Sequence, residues 1–363
     1  MNICLVAGAR PNFIKLAPII HAAEKAAKEG KDISFTLVYT GRKGDSTLED
    51  SLFADLRIDE PQVYLGVDCE NLNELTGHVM SAFDDYLSES KNDVVIVVDD
   101  LASTMAAAIV TKKKGILLAH LVAGTRSFDI NMPKEINRLV IDGLSDLLFT
   151  AGISNNSIVN KEGGNLSKVY MVGNILMDTL RENYNRLKRP AELSELGIED
   201  GAYIVFTINR KVLLANEMEL ESLLSAMISN AGEKPIVAVL RPRAEEAVNK
   251  ALKAISKEGF IKMLRPMSYL EFGYLTAHAQ GIITDSGNVA EEATFNGVAC
   301  ITLNSYTEHI ETVKEGSNVL VGEDADVLAE YVKQMAAGEW KKSNVPDRWD
   351  GRSAERIISI LLG

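Results

Sequence analysis

The chain has 363 residues, and its 38 Lys+Arg against 51 Asp+Glu give a formal net charge of −13. With 46% hydrophobic and 25% charged residues, the composition is that of a globular protein and excludes long disordered or fibrous segments. The acidic balance argues against a nucleic-acid partner or an anionic membrane surface, although it is compatible with a local basic pocket for phosphate. At ~100–200 residues per domain, the length predicts two domains.

Several classes of protein are disfavoured by what the sequence does not contain. The three cysteines, Cys4, Cys69 and Cys300, show no CxxC spacing, which predicts a reducing compartment. Cys4 lies in an apolar predicted strand, which predicts that it packs in the core. No apolar run approaches the ~20 residues of a membrane helix, and no basic leader precedes the first apolar run. The five histidines show no metal-ligand spacing. We therefore expect a cytoplasmic protein without a metal or a membrane segment.

The first half of the chain alternates short apolar runs with longer helical patterns. Strands are predicted at residues 3–9, 33–41, 93–100, 116–124, 147–152 and 168–174. Helices are predicted at residues 12–30, 71–89, 101–115 and 133–146, and from 174 to near Arg189. The apolar face of residues 80–87 is expected to be internal core, with a dimer surface as the alternative.

The pattern breaks at residues 189–201, where Pro, Gly and charge predict a linker, and then restarts. Further strands are predicted at residues 202–209, 235–240, 260–264, 281–285, 299–304 and 318–322, followed by a final helix at 353–363. Continuous apolar strands separated by helices indicate parallel sheets covered on both faces. The predicted fold is α/β, with two Rossmann-like domains at residues 1–188 and 189–349.

Ligands of doubly wound sheets bind beyond the carboxyl ends of the strands, and two such domains predict a site in the cleft between them. Arg10 follows the first strand, and Arg210 follows the first strand of the second half. A cation at the start of each half suits a diphosphate. Lys15, in the helix after Arg10, is placed to reach the same cleft. The alternative for all three is a solvated or interface cation.

Two further segments of the first half follow strand ends. Asp99 and Asp100 end the strand at 93–100, where they could supply a general base or cap the next helix. Residues 119–138 form a partly irregular segment of the kind that often carries function. Its polar residues are His120, Arg126, Asp129, Lys134, Glu135 and Arg138. For His120 we favour a hydrogen-bonded structural role over a catalytic one.

The sharpest motif is TDSGNVAEEA at residues 284–293. Asp285 ends a strand, Ser286-Gly287-Asn288 predict a tight turn, and a helix follows whose N-terminus offers N–H groups and a positive dipole to an anion. Glu292, one turn inside, could accept hydrogen bonds from a ribose diol. The motif is not a Walker A loop, and the first half lacks GxGxxG, which argues against an NAD enzyme.

Five segments together resemble the non-hydrolysing UDP-N-acetylglucosamine (UDP-GlcNAc) 2-epimerases of bacterial cell-envelope biosynthesis, over nearly the whole chain. They are GARPNFIKLAPII, AHLVAGTRSFDINMPKEINR, VGNILMDTL, ITDSGNVAEEATFNGVACITL and YTEHIETVKEGSNVLVG. The resemblance implies a GT-B fold whose C-terminal domain holds most of the nucleotide and whose terminal helix, about 350–363, crosses back to the first domain. It implies UDP-GlcNAc or UDP as ligand, no cofactor, and a homodimer. The implied reaction eliminates UDP to a 2-acetamidoglucal and re-adds it, which interconverts UDP-GlcNAc and UDP-ManNAc.

The resemblance also distributes roles among the candidate residues. UDP contacts fall to Arg10, Arg210, Ser286, Gly287, Asn288 and Glu292. Roles in the chemistry fall to Lys15, Asp100 and Glu135. Contacts with the sugar or the cleft fall to Arg126, Arg138 and His309.

Several positions depart from the family pattern. Val122 and Lys134 stand where the family carries glutamates, and Asn209 stands where it carries a histidine. His309 replaces an arginine, Asn288 replaces a glycine, and TGRK at 40–43 replaces the T-G-Q-H stretch linked to regulatory UDP-GlcNAc binding. Removing one acid or base group typically costs about 10²–10⁴-fold in rate. The departures therefore predict an intact fold with an impaired reaction and a more positive cleft.

Four functions are consistent with the sequence, and fold alone does not separate them. The first is a working UDP-GlcNAc 2-epimerase in which Asp100, Lys134 or Glu135 takes an altered role. The second is a non-catalytic protein that binds UDP or a UDP-sugar. The third is a hydrolysing epimerase or another nucleotide-sugar enzyme on the same fold, such as a glycosyltransferase. The fourth is a scaffold without a ligand.

Overall fold

The computed structural model describes residues 1–162 and 167–363. They form two compact units, one of Met1–Tyr184 with Asp347–Gly363 and one of Asn185–Pro346. The boundaries predicted from the sequence lie at residues 188 and 349. Within the described residues, no helix combines the length and the apolarity needed to cross a membrane.

The first unit contains a seven-stranded parallel sheet in the order β3-β2-β1-β4-β5-β6-β7. Its strands are β1 (Asn2–Ala7), β2 (Ser34–Tyr39), β3 (Val63–Tyr64), β4 (Val94–Val98), β5 (Leu117–Ala123), β6 (Leu147–Thr150) and β7 (Lys168–Met171). The central strands are apolar on both faces, and all five residues of β4 are buried. Helices on both faces remove these side chains from water, which is the main stabilisation of such a sheet.

The described helices of the first unit include the five that were predicted and two that were not, at residues 52–56 and 153–162. They are α1 (Arg10–Lys28), α2 (Leu52–Leu56), α3 (Leu72–Glu89), α4 (Ala102–Lys113), α5 (Pro133–Leu144), α6 (Ile153–Glu162) and α7 (Ile175–Asn183). The helix predicted to reach about Arg189 is shorter than expected, because α7 gives way at Tyr184–Arg186 to a single 3₁₀ turn. The apolar face of residues 80–87 lies in the core as predicted, with Phe83 and Leu87 buried.

The second unit contains a six-stranded parallel sheet in the order β10-β9-β8-β11-β12-β13. Its strands are β8 (Ile204–Phe206), β9 (Ile236–Val239), β10 (Ile261–Leu264), β11 (Gly281–Thr284), β12 (Ala299–Thr302) and β13 (Asn318–Leu320). Its helices are α8 (Ala191–Glu195), α9 (Lys211–Ala215), α10 (Glu217–Asn230), α11 (Pro242–Ala254), α12 (Tyr269–Ala277), α13 (Gly287–Asn296), α14 (Ile310–Lys314) and α15 (Ala325–Ala337).

The segment at residues 189–201 was predicted to be a linker. This prediction is wrong in part, because the segment contains the helix α8. Leu193 of this helix is fully buried and packs in a core cluster with Ile198, Tyr203 and Val205. Burial of one leucine is worth about 1.5–3 kcal/mol, which helps to hold this short helix against the core. The proline and the glycines of this segment lie outside α8, before and after the helix.

The last helix, α16 (Ser353–Leu362), packs against α1 and α7 of the first unit. The segment GNILMD supports this packing. Gly173 has φ 102, and a Cβ there would lie 2.1 Å from the Arg348 carbonyl oxygen, so a side chain does not fit. Asn174 caps α7 by accepting from the Leu176 amide at 3.0 Å, and Asp178 accepts from the Ala354 amide at 2.8 Å. The segment therefore ties the end of the chain to the first unit.

Candidate functional site

The first group of candidate residues lies at the carboxyl ends of β4 and β5, which are neighbours in the sheet. Asp99, just after β4, has φ 59, and Val122 in β5 has φ 72 at a shift in the register with β6. A non-glycine residue in this left-handed region costs about 1–3 kcal/mol, and a β-branched one is a true outlier. Strain of this kind concentrates at functional sites, where bulges re-aim side chains.

Lys15 is a buried cation that pairs with Asp99. Its Nζ lies 2.6 Å from Asp99 Oδ1, and Asn12 Nδ2 donates to Asp99 Oδ2 at 2.9 Å. Asn12 also accepts from the amides of Gly8 and Ala9, which fixes the start of α1. The sequence reasoning did not identify Asn12 or the Lys15–Asp99 pair, although Pro11 at the start of α1 marks the turn that brings them together.

Asp100 lies between two cations of α5. Arg138 donates to Asp100 Oδ2 from Nε at 2.9 Å and from Nη2 at 2.6 Å, and Lys134 Nζ lies 3.3 Å from Oδ1. Burial by itself raises the pKa of this carboxyl, but the charges of Lys134 and Arg138 outweigh burial and lower it. The alternative that Asp99 or Asp100 caps the following helix is wrong, because Leu101 is the capping residue of α4 and makes no side-chain cap.

Glu135 accepts hydrogen bonds from the loop that precedes α5 and holds this loop in place. Its oxygens accept from the Ser127 amide at 2.9 Å, the Ser127 hydroxyl at 2.9 Å and the Phe128 amide at 3.1 Å. Arg138 Nη1 adds a contact at 3.1 Å. Burial alone raises the pKa of Glu135, but these hydrogen bonds lower it overall. The carboxylate holds the turn at Phe128, whose φ is 60.

His120 and Arg126 lie behind the strand ends, around Asp142 of α5. His120 Nδ1 lies 2.6 Å from Asp142 Oδ1 and its Nε2 lies 2.9 Å from the Asp99 carbonyl, so both ring nitrogens have partners, as favoured from sequence. Arg126 contacts Asp142 Oδ2 at 2.7 Å and Glu162 at 2.6 Å. Sequence reasoning missed Asp142. Its position four residues after Arg138, on the same helix face, was the available signal.

Arg10 opens α1 and pairs with Glu49, another residue that the sequence reasoning missed. Its Nε lies 2.5 Å and 2.6 Å from the two carboxylate oxygens, and Nη2 contacts the same group. The two side chains are 28% and 30% exposed. The cation predicted for a phosphate is therefore balanced by a carboxylate of its own unit.

The second group of candidate residues lies at the carboxyl ends of β8 and β11, which are also neighbours. Asp285 accepts from the backbone amides of Asn209 at 2.7 Å and Arg210 at 2.6 Å, so it fixes the turn after β8. The Arg210 guanidinium contacts Glu323 at 2.9 Å and Asn304 at 3.2 Å. These contacts hold Arg210 beside the start of α9 at the same edge of the sheet as Asp285.

Helix α13 begins at Gly287, with Ser286 as its capping residue. The Ser286 side chain does not cap the helix, and the sequence of the first turn contains no acidic residue. His309 lies over this helix start, because a Cβ on Gly287 would lie 2.9 Å from the His309 ring. His309 Nδ1 contacts the buried Glu291 at 2.9 Å. Asn288 lies in the first turn of the helix and Glu292 is buried one turn further on.

The two Rossmann-like units and their strand-end polar groups define an α/β protein of GT-B type, as predicted. A family model described as UDP-N-acetylglucosamine 2-epimerase matches residues 25–362, and the chain belongs to this family. The family predicted from the sequence motifs is thereby confirmed.

Two curated relatives span nearly the whole chain. The UDP-N-acetylglucosamine 2-epimerase of Methanocaldococcus jannaschii is 33% identical over 374 residues, which covers 99% of each chain. The UDP-2,3-diacetamido-2,3-dideoxy-D-glucuronate 2-epimerase of Pseudomonas aeruginosa is 31% identical over 364 residues, again 99% of each. A crystal structure of the M. jannaschii enzyme in complex with UDP-GlcNAc and UDP matches with a TM-score of 0.85 at 32% identity, covering 99% of both chains.

Proposed function

We propose that this chain binds UDP or a UDP-linked 2-acetamido sugar such as UDP-GlcNAc and catalyses epimerisation at C2 far more slowly than its family does. The observation that carries the second part is the contact between Lys134 and Asp100. The first part is supported by the M. jannaschii relative, whose structure contains UDP-GlcNAc and UDP.

The second unit supplies the nucleotide-binding groups in this proposal. The start of α13 offers backbone N–H groups and a positive dipole, both of which favour a diphosphate. Arg210 adds a cation, and Ser286 and Asn288 add polar side chains at the same helix start. Glu292 is the acceptor proposed for the ribose diol.

The first unit carries the groups proposed for the sugar chemistry. Elimination of UDP requires a base that removes the C2 proton while the bond between C1 and the phosphate oxygen breaks, and re-addition reverses these steps. Asp100 is a weak base because two cations stabilise its ionised form. Val122 cannot accept or donate a proton, and Asn209 cannot act as a general acid. The proposed slow step is therefore proton transfer at C2 and not ligand binding.

Calorimetric titration with UDP tests the binding half of the proposal. We expect saturable binding and a rise in the midpoint of thermal unfolding at millimolar UDP, since a ligand that binds only the folded state stabilises it. Gly287→Ala should weaken binding, because the added methyl group meets the His309 ring at 2.9 Å beside the helix start. Gly77→Ala is the matched control, since its methyl group meets nothing within 4 Å. Absence of both heat and stabilisation with UDP would overturn the proposal.

The sugar is tested in the same way. UDP-GlcNAc and UDP-2,3-diacetamido-2,3-dideoxy-D-glucuronate are compared, because the two relatives named for these sugars are almost equally similar to this chain. Chromatography of the products after long incubation distinguishes the proposed epimerisation from the remaining alternative, which is hydrolysis. Release of free UDP together with free N-acetylmannosamine would replace the proposal by a hydrolysing epimerase.

A further inference from the structure

Asp142 is a buried carboxylate to which the proposed function assigns no role. Its side chain is 6% exposed, and Oδ1 lies 2.6 Å from His120 Nδ1. The other oxygen, Oδ2, accepts from the Gly124 amide at 3.1 Å and lies 2.7 Å from Arg126 Nη1. His120 lies in β5, and the other two partners, Gly124 and Arg126, lie in the segment that follows this strand. One side chain of α5 therefore holds three points at the carboxyl end of β5.

His120 extends this contact to the neighbouring strand. Its Nε2 lies 2.9 Å from the Asp99 carbonyl, and Nε2 is the donor because a carbonyl oxygen cannot donate. The Asp99 carboxylate in turn binds Lys15 Nζ at 2.6 Å. Contacts thus run from Asp142 through His120 to the backbone of Asp99, whose side chain binds Lys15.

At both strand ends that Asp142 contacts directly or through His120, the backbone has residues with positive φ angles. Asp99 has φ 59, Val122 has φ 72 and Gly124 has φ 76. Non-glycine residues keep such conformations only when their surroundings hold them. Asp142 is suited to this task, because the charges of His120 and Arg126 outweigh the effect of burial and lower its pKa. An ionised carboxylate makes stronger hydrogen bonds than a neutral group.

We infer that Asp142 is a positioning residue, which fixes the turns at Asp99 and Gly124 and thereby directs Lys15 toward the sugar of a bound UDP-sugar. The inference rests on the proposed function, because Lys15 has a sugar to meet only if a UDP-sugar binds. Asp142 acts through His120 and does not itself contact the ligand.

His120→Phe tests the link, since phenylalanine retains a planar ring and removes both hydrogen bonds. Thr111→Val is the matched control, because it removes a buried hydrogen bond of 2.7 Å to the Ala107 carbonyl in α4. The ligand-independent readout is hydrogen–deuterium exchange at the amides of residues 99–101 in the folded protein. The second readout is calorimetric affinity for UDP and, separately, for UDP-GlcNAc.

We expect exchange at residues 99–101 to accelerate about tenfold or more in His120→Phe and to stay unchanged in Thr111→Val. Affinity for UDP should stay within about twofold while affinity for UDP-GlcNAc falls about tenfold, because misplacement of one contact group affects only the ligand that carries the sugar. Asp142→Ala should give the same pattern. If that variant fails to fold, His120→Phe decides.

Unchanged exchange at residues 99–101 in folded His120→Phe overturns the inference, whatever the ligands do. An equal loss of affinity for UDP and UDP-GlcNAc also overturns it, because a general structural defect affects both. Failure of UDP to bind the unaltered protein is a different result: it overturns the proposed function, and with it the direction of Lys15 toward a ligand.

Discussion

Lys134 Nζ lies 3.3 Å from Asp100 Oδ1, so a lysine contacts the carboxylate that is proposed to act in the chemistry. Arg138 binds the other oxygen of the same carboxylate at 2.6 Å. Two cations therefore contact the Asp100 carboxylate. With glutamate in place of Lys134, the same three positions would hold one cation and two anions, which is the balance that raises the basicity of a carboxylate.

The first prediction concerns the pKa of Asp100. Lys134→Met removes an opposite charge, and Lys134→Glu replaces it by a like charge, so the pKa of Asp100 should rise in the order wild type, Lys134→Met, Lys134→Glu. Carbon-13 NMR titration of the Asp100 carboxyl measures the order directly. Identical titration curves in the three proteins would mean that Lys134 does not control Asp100.

The second prediction concerns the strained backbone of Val122. Glycine adopts φ 72 without a steric penalty, so Val122→Gly should leave the free energy of unfolding unchanged or raise it by about 1 kcal/mol. Val97→Gly, at a fully buried position within β4, should lower it by about 3 kcal/mol. Urea unfolding of both variants checks the contrast. An equal loss in the two would show that Val122 is not strained.

The third prediction concerns the pH dependence of stability through Asp178. Burial raises its pKa from the ordinary value of 3.8 to about 6. A group whose folded-state pKa is raised stabilises the fold fully below its unfolded pKa, and that contribution is lost as pH rises through 6. Relative to Asp178→Asn, wild-type stability should therefore fall by about 2 kcal/mol between pH 4 and pH 7.

Asp350→Asn serves as a control of opposite sign for Asp178→Asn. A hydrogen bond from Arg356 lowers the pKa of Asp350, so its contribution is present above the unfolded pKa and is lost as pH falls. Urea unfolding at a series of pH values compares the two variants. A constant difference between wild type and Asp178→Asn across the series would contradict the assignment.

The fourth prediction concerns the pair between Arg10 and Glu49. If Arg10 contacts the UDP diphosphate, Glu49 competes with it, and Glu49→Gln should tighten UDP binding by up to about fivefold at low salt, the range of a partly exposed ion pair. Glu60→Gln is the control, since Glu60 pairs with Lys43 and not with Arg10. Calorimetry at two salt concentrations measures both variants. Unchanged affinity in Glu49→Gln would place the diphosphate away from Arg10.

The fold was largely readable from sequence because the central strands are buried on both faces and therefore apolar throughout. β4 reads VVIVV and β1 reads NICLVA, and both were predicted with ends within two residues. The two-residue strand β3 was not predicted, since its only signal is pairing with β2. The helix α8 was missed because its contact with the core is made by Leu193 in a segment whose composition is that of a linker.

The site was readable only in part. Strand-end reasoning selected Lys15, Asp100 and Arg138, but it did not predict which residues pair with which. Lys15 pairs with a residue 84 positions away, and Arg10 pairs with Glu49 at a separation of 39. Such pairs are created by the tertiary fold and leave no local pattern. The residue roles implied by the family resemblance stay predictions. The homodimer is also a prediction, and light scattering tests it.

The most direct measurement of the central claim is deuterium incorporation at C2 of saturating UDP-GlcNAc in heavy water, followed by NMR. The wild-type protein should bind the ligand and exchange C2 slowly. The triple variant Val122→Glu, Lys134→Glu, Asn209→His should exchange at least about 10²-fold faster, because it supplies three acid/base groups. Exchange in the wild-type protein as fast as in the triple variant would contradict the claim that these three positions limit the reaction.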